Sequence, residues 1–241
     1  MQTSLPVALS GQLATEKRLD TIANNLANLR TVGFRAEEVK FESYLSRTAP
    51  ESVAFTSGGE RYLSTRSGEI TQTGNNLDMA VSGDAFFAIQ TPKGTVYTRD
   101  GRMQMRNTGE LMTVNGEPFL DVGGAPLLIN PAGGPVSIAR DGMITQNNVQ
   151  VGAVGLFKMP AGADLQRAGT SGVVPNRPAQ PLVDFEDTSV LQGYVEGSNV
   201  NPILEMTRLI EVQRAFEQAA NLIQTSENSL NTAVSQLGAV K

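Results

Sequence analysis

The sequence predicts an α+β protein whose N- and C-terminal helices pair as a coiled coil around a central, mainly antiparallel β domain. Three observations carry this. Both ends of the chain space their apolar residues at alternating intervals of three and four. The middle breaks into short apolar runs separated by Asn-Gly, Asp-Gly and Gly-Gly pairs. The composition, 40% hydrophobic and 18% charged over 241 residues, suits a chain that buries a core.

At the N-terminus the series Leu5, Ala8, Gln12, Thr15, Leu19, Ile22, Leu26, Leu29 follows the alternation with six of eight positions apolar. It predicts a helix from about residue 4 to 31, with Gly33 as its stop. From 36 to 75 a charged stretch passes into Ser, Thr and Gly, with β-prone pieces at Ser52–Thr56 and Arg61–Thr65. This reads as a partly extended connector. From 76 to 192 the expected strands are Met79–Val81, Phe86–Gln90, Thr95–Thr98, Met103–Arg106, Leu111–Val114 and Val151–Met159. The tight turns are expected at Asp100-Gly101, Asn115-Gly116, Gly123-Gly124, Gly133-Gly134 and Asp141-Gly142. The last segment, 193–241, holds the stronger helix. Leu209, Val212, Phe216, Ala219, Ile223, Ser226, Leu230, Ala233, Leu237 and Val240 are apolar at nine of ten positions. That narrow stripe favours supercoiling against a partner. Asn201 is the expected cap, Pro202 suits the first helical position, and Glu205 lies well for the helix dipole.

The absences narrow the function. With no His and no Cys, imidazole- and thiol-based catalysis, His or Cys metal ligands and disulfides are excluded. A net charge of −5 argues against a nucleic-acid binder. No run reaches the ~20 apolar residues of a membrane span, and residues 1–11 lack the basic start of a secretory signal. No cofactor is expected. A carboxylate-dependent glycan hydrolase would need a facing pair, and Asp78, Asp84, Asp100 and Asp141 all sit at turns or strand ends, where Asp is common for conformational reasons. Calcium binding at the two Arg-Asp-Gly triplets lacks the alternating oxygen ligands and closing Glu of a helix–loop–helix site.

The stripes pose a physical question. Two helices paired only with each other offer little more than one seam, so their remaining apolar surface needs other copies or related chains. The alternative is that both fold back on the β domain as ordinary core helices. Asn24, Asn25 and Asn28 have two readings as well: a solvated polar face, or amides that hydrogen-bond between packed helices.

These segments also carry a resemblance. Thr21-Ile-Ala-Asn-Asn-Leu-Ala-Asn-Leu-Arg-Thr-Val-Gly-Phe-Arg35 resembles the N-terminal motif of the bacterial flagellar axial proteins of rod and hook. Leu77-Asp-Met-Ala-Val-Ser-Gly-Asp-Ala-Phe-Phe-Ala-Ile89, Tyr97-Thr-Arg-Asp-Gly101, Gly109-Glu-Leu-Met-Thr-Val-Asn-Gly116 and Glu196-Gly-Ser-Asn-Val-Asn-Pro202 match further motifs in order, as do Glu205–Ile210 and Gln213–Phe216. Ser10-Gly11-Gln12-Leu13-Ala14 departs from the Ser-Gly-Met-like start of relatives. A single β block and the Glu-Gly-Ser-Asn-Val-Asn-Pro wording most resemble the proximal-rod member; the distal-rod member is the alternative.

The resemblance implies a non-enzymatic subunit of a hollow helical rod, polymerising with copies of itself and other rod proteins. It implies export through the flagellar type III apparatus to a periplasmic site, without a cleavable signal and without membrane insertion. A surface adhesin or capping subunit built on the same ends is a further alternative. The expected subunit interface comprises Leu19, Ile22, Leu26 and Leu29 with Leu209, Val212, Phe216, Ala219, Ile223 and Leu230, joined by Asn24, Asn25 and Asn28.

Overall fold

The computed structural model describes residues 4–46 and 53–238. Among these it has two helices and nineteen short strands that pair mainly antiparallel, so the fold is α+β with a mainly antiparallel β part. The chain divides into two units. The first comprises Met1–Ala27, Glu37–Tyr62 and Asn201–Lys241; the second comprises Asn28–Ala36 and Leu63–Val200.

In the first unit, helix α1 spans Ser4–Ala27 and helix α2 spans Pro202–Gly238, and the two helices are in contact. The start of α2 follows its sequence signals. Asn201 Oδ1 accepts a hydrogen bond from Leu204 N at 3.1 Å, and its carbonyl accepts from Glu205 N at 3.0 Å. Helix α1 ends four residues earlier than the apolar period predicts. Asn28 and Thr31 close a turn instead, with Thr31 N on Asn28 O at 3.2 Å and Thr31 Oγ1 on Asn28 Oδ1 at 3.0 Å. Short polar side chains that satisfy backbone locally compete with continuation of a helix. The connector is more ordered than expected: Glu37–Lys40 pairs with Glu60–Leu63, and Ser43–Ser46 with Val53–Thr56. Ser52 lies outside the described residues.

The second unit contains the main core. Its six-stranded sheet runs in the order Leu165–Ala168, Gly172–Pro175, Gly94–Thr98, Phe86–Thr91, Leu156–Lys158, Gln180–Pro181. Met79, Val81, Phe87, Leu111, Phe119, Ile144 and Leu156 bury their side chains together, with Phe87 and Phe119 edge to face at 6.1 Å. Most expected strands form within a residue or two. Val151–Met159 does not form as one strand. It splits into Val149–Ala153 and Leu156–Lys158, because Gly155 brings backbone so near Asp121 that a Cβ would lie 2.6 Å from its carbonyl oxygen.

The turns divide by whether they join partners in one sheet. Asp141-Gly142 closes the hairpin between Val136–Ile138 and Met143–Gln146, with Gly142 at φ 82°. Asn115-Gly116 makes a tight turn, Gly116 N donating to Thr113 O at 3.0 Å. Asp100-Gly101 is not a hairpin tip. It links strands of different sheets, and Gly101 serves close approach, since a Cβ there would lie 1.9 Å from Met79 O. The tip joining Met143–Gln146 to Val149–Ala153 is Asn147-Asn148, both at positive φ (49° and 62°), a pair the dipeptide rules passed over.

Candidate assembly surface

The predicted stripes are the shielded sides of their helices. On α1, Ile22 is buried and Leu19, Leu26 and Asn24 are half-buried, while Leu9 and Leu13 stand exposed. On α2, Val212 is buried and Leu209, Phe216, Ala219 and Ile223 are half-buried. The side chain of Leu230 lies outside the described residues, as do those of Leu5, Ser226, Ala233 and Leu237, and all of Val240. Leu29 and Asn28 fall beyond the end of α1, in the second unit. There Leu29 packs on a cluster of Phe34, Ala36 and Val200. Leu29 is therefore not part of a helical seam.

Asn25 makes one of the expected bonds between packed helices, from α1 to Glu205 on α2. It is 2% exposed, and its amide is used inside its own chain. Nδ2 donates to Glu37 O at 2.8 Å and to Glu205 Oε2 at 3.3 Å, and Oδ1 accepts from Glu37 N at 2.9 Å. Both backbone groups of Glu37 are thus paired by one side chain, a strand-like satisfaction of otherwise orphaned donors and acceptors. Glu205, also buried, accepts in addition from Arg208 Nη1 at 2.8 Å. These partners place three bonds of Asn25 within the chain, of the four at most that the amide can make.

A second row on α2 was not singled out. Ile203 (77% exposed), Met206 and Ile210 follow one another at helical spacing outside the shielded stripe, and Leu222 (69%) stands farther along. Among the described residues this row is apolar surface left exposed.

The second unit holds a buried ionic cluster that composition alone does not reveal. Arg99 Nη1 lies 3.0 Å from Glu196 Oε2 and Arg35 Nη2 lies 3.1 Å from Glu196 Oε1. Arg99 also donates to Val81 O (3.1 Å) and Gly83 O (2.7 Å), and Arg35 to Thr65 O (2.8 Å) and Arg66 O. The Arg35–Glu196 contact is a charge pair without the alignment of a hydrogen bond. Both guanidinium groups lie over the ring of Phe86, at 5.9 Å for Arg35 and 4.7 Å for Arg99. Burial pulls Arg99 down to about 10, partly offset by Glu196 and deepened by Arg35, so it stays charged at neutral pH. Burial lowers Arg35 as well, opposed by Glu196 and Asp84. The signal available beforehand was that each of the three residues lies inside one of the quoted motifs.

Three of the four carboxylates considered for hydrolysis have conformational partners. Asp78 accepts from Thr73 Oγ1 (2.7 Å) and Asn75 Nδ2 (3.0 Å), Asp100 from Arg102, and Asp141 from Met143 N (3.0 Å). Asp84 lines a cavity with Arg35, Leu63 and Phe86, and none of the other three joins it there. No group of metal-ligating side chains is found among the described residues, and no helix is long and apolar enough to cross a membrane.

Comparison with known proteins matches three segments to family descriptions. Residues 5–35 match the flagella basal body rod protein family, 80–146 the flagellar hook protein FlgE/F/G D1 domain, and 191–237 the flagellar basal body rod FlgEFG protein C-terminal region. Over 99% of both chains, the sequence is 52% identical to flagellar basal-body rod protein FlgF of Mesorhizobium japonicum and 48% identical to that of Rhizobium meliloti. It is 33% identical to flagellar basal-body rod protein FlgG of Bacillus subtilis, over 97% of this chain and 98% of that one. Helices at both ends, a β part between them and motif identity along the whole length agree: the chain belongs to the family of flagellar basal-body rod proteins.

Proposed function

We propose that this chain, a structural and non-enzymatic member of the rod family, stands in the proximal part of the flagellar rod and builds it by helical polymerisation with copies of itself and other rod proteins. The observation that carries the reading is the apolar row Ile203, Met206, Ile210, left uncovered on α2 while the stripe around Val212 is shielded. Higher identity to FlgF than to FlgG chains favours the proximal over the distal position. In this reading 1–35 and 193–241 supply the two halves of an inner tube and pair as a coiled coil. Residues 76–192 stand outside, and 36–75 braces neighbours. Leu19, Ile22, Leu26, Leu209, Val212, Phe216, Ala219, Ile223 and Leu230 form the seams, with Asn24 and Asn28 hydrogen-bonding at their edges; Leu29 and Asn25 act within the chain. The subunit reaches the periplasm through the type III export apparatus without a cleavable signal. The rod passes exported subunits through its lumen and transmits torque by sharing load over many staggered apolar contacts.

Leu26→Asp tests this. A carboxylate in a half-buried seam is expected to block incorporation into rods while the β unit stays folded. Normal rods containing the variant would contradict the reading.

A further inference from the structure

The chain passes between its two units at four places: after Ala27, Ala36, Tyr62 and Val200. On the side of the second unit these passages belong to three segments, namely 28–36, the stretch that begins at Leu63, and the stretch that ends at Val200. All three meet. Ser64 N donates to Ala36 O at 2.8 Å, and Gly33 N donates to Glu196 O at 2.8 Å. Asn199 joins the other two segments with one amide, accepting from Ala36 N at 2.7 Å and donating to Arg66 O at 2.7 Å. Glu196 Oε1 accepts from Gly68 N at 2.9 Å and faces Arg35, while Oε2 holds Arg99. Gly33 is required here for two reasons. Its φ is +70°, and a Cβ would lie 2.4 Å from Asp100 N.

We infer that the three segments form one clamp that opens and closes as a unit, with the Arg35–Glu196–Arg99 triad as its fastener. Glu196 and Arg99 are each 1% exposed in their side chains and Arg35 is 4% exposed. Lifting 28–36 or 194–200 strips a buried charge of its counter-charge, which costs far more than the net worth of the pair. Lifting 64–68 takes from Arg35 its acceptors at Thr65 O and Arg66 O and from Glu196 its donor at Gly68 N. Opening one segment alone is therefore disfavoured relative to opening all three. A pull on any passage is shared among the three segments and handed by Arg99 to the strand Met79–Ser82, whose carbonyl at Val81 it holds. The clamp does not depend on where in the rod the chain stands.

Amide hydrogen exchange on the full chain tests it. Glu196→Gln is expected to speed exchange at 31–36, 64–68 and 194–200 together, by roughly tenfold or more beyond any change at the strand Met143–Gln146. Arg35→Met must speed the same three segments, because coupling is reciprocal. If Glu196→Gln does not fold, Asn199→Ala removes a neutral link and must produce a smaller acceleration shared by the same segments. Acceleration confined to the substituted segment, spread evenly through the second unit, or absent would overturn the clamp.

Discussion

The two units of this chain solve the burial problem differently. The second closes its own core: Met79, Phe87, Leu111 and Phe119 have no exposed surface, and its one concentration of charge is internally paired. Among the described apolar residues of its helices the first fully buries only Ile22 and Val212, and it uses polar links such as Asn25 to tie α1 to the connector. It leaves Ile203, Ile210 and Leu222 on the outside. One unit closes its core with its own sequence, and the other leaves apolar surface exposed among the described residues. Helices held by a single narrow seam gain little beyond their nucleation cost, whereas strands buried on a closed core gain from every side chain.

Substitutions can break or sharpen that contrast. The largest effect is expected from Phe119→Ala, which empties a fully buried ring site. It should destabilise the second unit by about 3–5 kcal/mol in chemical denaturation, with little change in the helical signal. Glu196→Gln should cost a similar ~3–5 kcal/mol, because two buried guanidinium groups lose their shared carboxylate. Asn25→Ala acts in the first unit. Leaving the Glu37 backbone groups unpaired should cost about 1–3 kcal/mol, read as earlier loss of helix on heating, with the β transition unmoved. Met206→Ser is expected to change the stability of the free chain by less than about 0.5 kcal/mol, yet to reduce incorporation into rods when both proteins are co-expressed.

The smallest effect concerns pH. Arg99 is lowered to about 10 in the folded state. A base whose folded value is depressed loses its proton first in the native state. Its titration therefore adds stability only as pH climbs from about 10 toward its ordinary value, and it leaves stability flat between about pH 6 and 9. A denaturation series that finds Arg99-dependent loss of stability in that range would contradict the assignment.

Local chemistry made much of the fold legible. Asn201-Pro202 announced the start of α2, and Asn115-Gly116 and Asp141-Gly142 announced their turns, because backbone preference at those residues decides the outcome. Misreadings arose where distant residues decide. Asp100-Gly101 has hairpin composition, but its glycine exists to let Met79 and Phe87 approach. The apolar period continued to Leu29, while Asn28 and Thr31 ended the helix through bonds that periodicity does not register. The triad was hidden for the same reason. Arg35, Arg99 and Glu196 are far apart in the chain, and isolated charges are read as surface unless a partner is known. The shielded sides of both helices were visible in their spacing, but the spacing did not show that the Ile203 row would be left uncovered.

A far-ultraviolet circular dichroism melt of the dilute free chain tests the contrast most directly. The account predicts that the helical signal is weak or fades well below the temperature at which the β unit unfolds, as two separate transitions. A single transition, with full helical signal from α1 and α2 persisting until the β unit melts, would show that the ends need no neighbours and would contradict it.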